Sequence, residues 1–193
     1  LVQVGDTAVY DAAIISTGNK VISPYMDNRV SCAILLAALA QMPEVVPNDV
    51  YFVFTVQEEV GLRGAKTAAY AVDPDYGIAV DVTDVDDTPG SEKNGTVQLG
   101  KGAAIKLMDS SVICHPEVVK ILSDLSEEKK IAAQKDILRA GGTDAGAMHV
   151  SRMGVRAGGI SVPCRYIHGP SSVIKLSDVE AQYQLAKAFA GTR

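Results

Sequence analysis

Residues 50–65 read VYFVFTVQEEVGLRGA: an apolar, β-branched and aromatic run over 50–57, then two glutamates and a turn carrying two glycines. A run apolar on both faces predicts a strand covered on both sides, as in the middle of a parallel sheet. Outward from it, strand and helix patterns alternate. Residues 28–42 carry Val30, Ala33, Ile34, Ala37, Ala38 and Met42 at helical spacing. Leu35, Leu36 and Leu39 make the other side apolar too, so this helix is expected to be buried nearly all round, and Pro43 and Pro47 close it. Downstream, 62–72 reads as a short helix, 76–82 as a second buried strand, 84–95 as a polar loop and 103–107 as a strand. Helix 116–128 has Pro116 in its first turn. Strand 131–138, helix 143–153 and strand 155–162 come next, then helix 177–190 with Ser177 and Glu180 spaced as a capping box. This order predicts an α/β protein, a three-layer α/β/α fold with a mainly parallel central sheet.

Residues 1–15 alternate weakly around Gly5-Asp6, as a hairpin would, and Gly18-Asn19 and Ser23-Pro24 break the pattern before the first helix. Residues 1–20 therefore read as a separate unit from 21–193, and a chain opening on Leu1 inside a strand-like pattern reads as cut from something longer.

Composition narrows the function classes. The chain has 193 residues, 47% hydrophobic and 21% charged, which suits a packed core and excludes intrinsic disorder. With a net charge of −5 and scattered basic residues, no nucleic-acid partner is expected. No apolar run approaches the roughly 18 residues of a membrane span. Three cysteines in mostly apolar contexts suit reduced thiols and a cytoplasmic location. The lack of tryptophan argues against stacking platforms for sugars or bases.

In open α/β sheets ligands bind beyond the C-terminal strand ends. Those places hold Glu58-Glu59 after strand 50–57, Asp81 in strand 76–82 and His168 after strand 155–162, with Asp27 just before the first helix. Carboxylates with one imidazole suit a divalent metal rather than a nucleophile triad. Neighbouring strand side chains point to opposite faces, so Glu58 and Glu59 can share one site only if the strand ends there, which Gly61 and Gly64 allow. One glutamate would then bind metal and the other act as a base; a solvated strand end opening a helix is the other reading. Asp27 also fits a plain N-cap, and His168 a structural loop histidine. His115 and His149 read as structural, and Asp81 interrupts an apolar strand where an unpaired carboxylate is expensive.

Six strings, SPYMDNRVSC (23–32), VFTVQEEVGLRGA (53–65), AVDVT (79–83), LGKGAAI (99–105), GGTDAGAMHVSRMGV (141–155) and SVPCRYIHGPSSV (161–173), closely resemble the di-metal aminopeptidases of the glutamyl and deblocking aminopeptidase family. The resemblance implies a zinc-exopeptidase-like fold, short peptides as substrates and two divalent ions, zinc, cobalt or manganese. It also implies a cytoplasmic homo-oligomer, a tetrahedral dodecamer in full-length relatives. By position it gives Asp27 as the bridging carboxylate, Glu58 as general base, Glu59 and His168 as ligands of one metal and Asp81 as ligand of the other. It further implies a cis peptide at Asp27–Asn28. Thr143 and Asp144, in the glycine-rich turn, would contact substrate or serve as N-caps. The family's N-terminal His-x-Asp ligand motif has no counterpart here, since all three histidines lie at or beyond 115. One metal or none is therefore expected in this chain, residues 1–20 look like the remnant of an inserted β domain, and 21–193 like a catalytic domain without its N-terminal segment. Some family members are labelled endoglucanases, so a glycoside hydrolase is one alternative and a non-catalytic module another.

Overall fold

The computed structural model describes residues 1–91 and 95–192. In chain order the elements are β1 (Ile15–Thr17), β2 (Lys20–Ser23), α1 (Met26–Ala40), α2 (Arg63–Val72), β3 (Tyr76–Asp84), β4 (Ala103–Met108), α3 (Pro116–Glu128), β5 (Ala133–Ile137), α4 (Ala145–Met148), β6 (Arg156–Cys164), β7 (Ser172–Lys175) and α5 (Leu176–Ala190). The main sheet runs β3-β6-β4-β5, with β3–β6 and β4–β5 parallel and β4–β6 antiparallel. A smaller antiparallel sheet, β1-β2-β7, stands beside it. The fold is α/β with a mostly parallel central sheet, as the alternation of patterns predicts.

Strand alternation sends Val80, Val82, Ile160 and Val162 to one face. There they pack with Val30 and Ile34 of α1, Val118 and Leu122 of α3 and Leu185 of α5. The other face carries Ala79 and Ala157 under Ala145 of α4, against which α2 packs. That face also bears a buried polar row: Asp81, Thr83, Lys106, Asp136 and Ser161. Lys106 Nζ pairs with Asp136 at 2.6 Å and donates to Thr83 Oγ1 at 3.3 Å, so one fully buried ammonium ties β4 to both β5 and β3. From α5, Gln182 Nε2 donates to the carbonyls of Asp81 and Ile160, locking the centre of the β3–β6 pair.

Several expectations are corrected. Residues 50–57 form no strand: among the described residues no ladder partner lies alongside them, and Tyr51, Val53, Phe54 and Val56 are exposed. The reason is physical, since a strand exists only by pairing and an apolar pattern supplies no partner. Helix α1 is not buried all round, because Leu36 and Leu39 face solvent. No hairpin forms over 1–15; the hairpin is β1–β2, turning at Gly18-Asn19, where the left-handed Gly18 and the pairing of β2 with β7 decide the register. The helix expected over 143–153 stops at Met148, where left-handed Arg152 and Gly154 shape successive turns. Ser177 does not cap α5; it sits inside the helix and its hydroxyl accepts from Asn19 Nδ2. Of the loop expected over 84–95, residues 92–94 lie outside the described residues.

Candidate metal centre

The two glutamates owe their placement to a turn built from left-handed residues. Gln57 and Leu62 have φ of 58° and 56°, and Gly61 has φ of 117°, a region that glycine enters freely and other residues rarely. The backbone N–H of Leu62 donates to the Glu58 carbonyl, and that of Gly64 to the Val56 carbonyl. Gly64 lies so close to residue 56 that an added Cβ would stand 2.5 Å from Val56 N. Only a glycine lets the start of α2 press onto the chain here, and that contact aims the two glutamates.

Asp27 precedes the regular part of α1 and has non-helical angles. The Asp27–Asn28 peptide is cis. Asn28 Nδ2 donates to the Val80 carbonyl, which fastens this corner to β3 one residue from Asp81. His168 lies in the β6–β7 connection, where Tyr166 and His168 are both left-handed. Arg165 makes a bidentate pair with Asp87, and the Ser172 hydroxyl donates to the Tyr166 carbonyl, so the loop is pinned at both ends.

These elements bring Asp27, Glu59 and His168 together, with one donor atom from each lying within 4.8 Å of the others. His168 Nε2 stands 2.9 Å from Asp27 Oδ2 and 3.4 Å from Glu59 Oε2. Burial, then the neighbouring Glu59 charge, pushes the Asp27 carboxyl up to about 6. Glu58 is half-buried and is pushed up to about 7, first by burial and then by the Asp144, Glu59 and Asp27 charges. Asp81 lies outside the three-residue cluster but within electrostatic reach of Asp27 and Glu58; burial holds its carboxyl well above the usual carboxylate range, and Val82 N–H donates to it. A cation among carboxylates crowded in this way relieves their repulsion.

Asp144 enters from the start of α4, and its carboxylate accepts from Thr55 Oγ1 at 2.7 Å while its other oxygen is buried without a partner among the described residues. Thr143 is turned away: it is 2% exposed, and its hydroxyl donates to Asp109, which also holds Ser111. His115 caps α3, and the ring of His149 bonds the Ala145 carbonyl. Beside the cluster lies a cavity of about 280 Å³ that Asp27, Glu59 and His168 share with Tyr10, Tyr25 and Ser172. Sequence reasoning missed Tyr10, Tyr25 and Thr55, while the cis peptide it expected at Asp27–Asn28 is present. Thr55 was signalled only as the aliphatic hydroxyl within the apolar run, and Tyr10 by nothing local.

An α/β sheet whose connections gather carboxylates and an imidazole close enough to share one cation defines a class, that of α/β proteins with a carboxylate–histidine cluster at the strand ends. The particular member emerges from comparison: the chain belongs to the M42 glutamyl aminopeptidase family, whose sequence profile matches residues 1–185. A putative aminopeptidase of Acetivibrio thermocellus is 46% identical over 185 residues, covering 96% of this chain and 56% of that protein. An aminopeptidase structure from the archaeon Desulfurococcus kamchatkensis superposes with a TM-score of 0.94 at 42% identity, covering all of this chain and 55% of the other. The Pyrococcus horikoshii TET1 peptidase, which can assemble into a tetrahedron or a large octahedral shell, matches with a TM-score of 0.85 at 30% identity over 96% of this chain and 54% of its own. The chain spans about half the length of the curated relatives it matches.

Proposed function

We propose that this chain carries the catalytic centre of a metal-dependent aminopeptidase that removes N-terminal residues from short peptides. The observation that carries this reading is the convergence of Asp27, Glu59 and His168 donors within 4.8 Å of one another beside the half-buried Glu58. Their donor types fit zinc, cobalt or manganese, and the raised Asp27 and Glu58 carboxyls mark a charge deficit that a divalent cation relieves. Asp27, Glu59 and His168 would hold one ion. Asp81 is the ligand on offer for a second, and it lies outside the three-residue cluster, so one ion or none is expected in this chain. A bound divalent ion supplies a lowered water pKa and a polarised carbonyl.

The chain's own residues do the rest. Glu58 is adjacent to the cluster and is not among its three donor residues, so its carboxylate is free to take a proton from the attacking water and return it to the leaving amine. Asp144, with one oxygen held by Thr55 and the other buried without a partner, would contact substrate only if that oxygen became exposed; Thr143 braces the turn through Asp109. Residues 1–20 belong with an inserted β domain, and 21–193 with the catalytic one. Exposed apolar side chains at Val2, Val4, Leu36, Leu39 and Phe54 support assembly into a homo-oligomer as in the TET1 peptidase. Three free cysteines support a reducing, cytoplasmic setting.

The test is Glu58→Gln. Turnover of an aminoacyl-p-nitroanilide by zinc- or cobalt-supplemented protein is expected to fall at least ~100-fold while calorimetric zinc affinity stays near that of the wild type. Retained turnover would remove Glu58 from the base role, and equal loss of zinc binding would make it a ligand.

A further inference from the structure

His168 is the most exposed of the three donors. Its side chain is 62% exposed, against 56% for Glu59 and 14% for Asp27, so packing does not aim the ring and the backbone of the β6–β7 connection must. That backbone is unfavourable by itself. Tyr166 and His168 take φ of 58° and 64°, a left-handed region that non-glycine residues keep only where the surroundings over-determine them. Arg165 stands at its start. The Nε and one terminal nitrogen of its guanidinium donate to the two carboxylate oxygens of Asp87, both at 2.7 Å, in a partly buried fork. These bonds hold the Asp87 carboxyl below the usual carboxylate range, so the pair stays charged. Asp87 is itself anchored. Two residues before it, Val85 is buried against Val97 and Ala104, and its N–H donates to the Cys164 carbonyl, one step past the last β3–β6 partners, Asp84 and Cys164. The fork therefore ties the first residue of the connection to the exit of β3, while paired backbone bonds between Arg165 and Val173 close its other side.

We propose that Arg165 and Asp87 are positioning residues for the metal ligand His168: their forked pair sets the β6–β7 connection so that the imidazole meets Asp27 and Glu59. The proposal deepens the metal-centre reading and rests on it. Coulomb's law separates this role from a simple effect of charge. A guanidinium three residues from a cation's ligand repels that cation, and Asp87 offsets the repulsion, so the pair brings little net charge to the centre. What it contributes is direction. A lysine would carry the same charge without the planar fork that fixes the angle of approach. The two accounts predict opposite signs. By charge alone, Arg165→Gln removes a repelling cation and tightens zinc binding; by position, it releases the connection and weakens zinc binding.

Calorimetric titration of zinc into chelator-treated protein reads this without reference to turnover. Arg165→Gln is expected to weaken zinc binding about tenfold or more, and Asp87→Asn by a similar factor. The double variant should lose no more than either single one, because each removes the same fork. Arg165→Lys should keep only part of the affinity. A His168→Ala background distinguishes positioning from a general loosening of the fold: with the imidazole gone, Arg165→Gln should change the remaining zinc affinity by less than about twofold. Zinc bound by Arg165→Gln as tightly as by the wild type, or more tightly, overturns the proposal. An equal loss in the His168→Ala background also overturns it, making the pair a support of the fold alone. In both cases a wild type whose zinc binding is weakened by His168→Ala leaves the metal-centre reading in place. A wild type whose zinc affinity ignores His168→Ala removes that reading and the proposal together.

Discussion

Glu58 and Asp27 carry the clearest consequence of single-residue placement. A carboxyl raised in the folded state favours its protonated form there, so its stabilising effect is present at low pH and is lost as pH rises through the folded value. For Asp27 and Glu58 those values are about 6 and about 7. In chelator-treated protein the wild type and Glu58→Gln should melt at similar temperatures near pH 4, below the ordinary glutamate value. Above pH 7 the variant should melt higher, because it has no charge to bury. A differential scan across this range checks it, and a wild type that gains on the variant with rising pH would contradict the placement of Glu58. Both residues were legible in the sequence as titratable groups at a strand end and a helix start. Their crowding was not, because apart from adjacent Glu59 on Glu58 the charges that repel them, Glu59 on Asp27 and Asp144 and Asp27 on Glu58, are remote in the chain. Thr143 and Asp144 show the same limit: adjacent in sequence, one bonds inward to Asp109 and the other reaches Thr55 beside the cluster.

At the scale of elements, the turn between residue 56 and α2 decides whether the two glutamates share a site. Gly64→Ala would put a methyl 2.5 Å from Val56 N and 2.6 Å from Val56 O, both backbone atoms that cannot swing away. The expected result is a loss of about 1–3 kcal/mol in urea unfolding, together with weaker zinc binding as Glu59 shifts. Unchanged zinc affinity at reduced stability would separate the turn from the centre. The glycines here were readable as a turn signal from the sequence. The two left-handed non-glycine residues that complete the turn, Gln57 and Leu62, were not, since neither side chain announces a positive φ.

Across the whole molecule, the buried Lys106–Asp136 pair joins β4 to β5 and, through Thr83, to β3 at the far side of the sheet. Lys106→Met should destabilise by about 3–5 kcal/mol, because it leaves Asp136 buried without its cation. Adding Asp136→Leu should recover most of that, as an apolar pair of similar volume often replaces a buried ion pair without penalty. Chemical denaturation of the two variants checks both halves. A lysine inside the apolar-flanked string 103–108 carried no signal of its depth, because its burial exists only once β5 lies alongside.

The sequence by itself determined the alternation of elements, most of their boundaries, the glycine turn and the residue types that can hold a cation. These arise from local periodicity and backbone sterics, which act within a few residues. Tertiary structure alone decided that Asp27, Glu59 and His168 meet while Asp81 stands apart, that Tyr10 walls the cavity, and that residues 50–57 form no strand. Each of these is a pairing or a distance between residues remote in the chain, and a one-dimensional pattern can state a side chain's need for a partner without naming the partner that meets it.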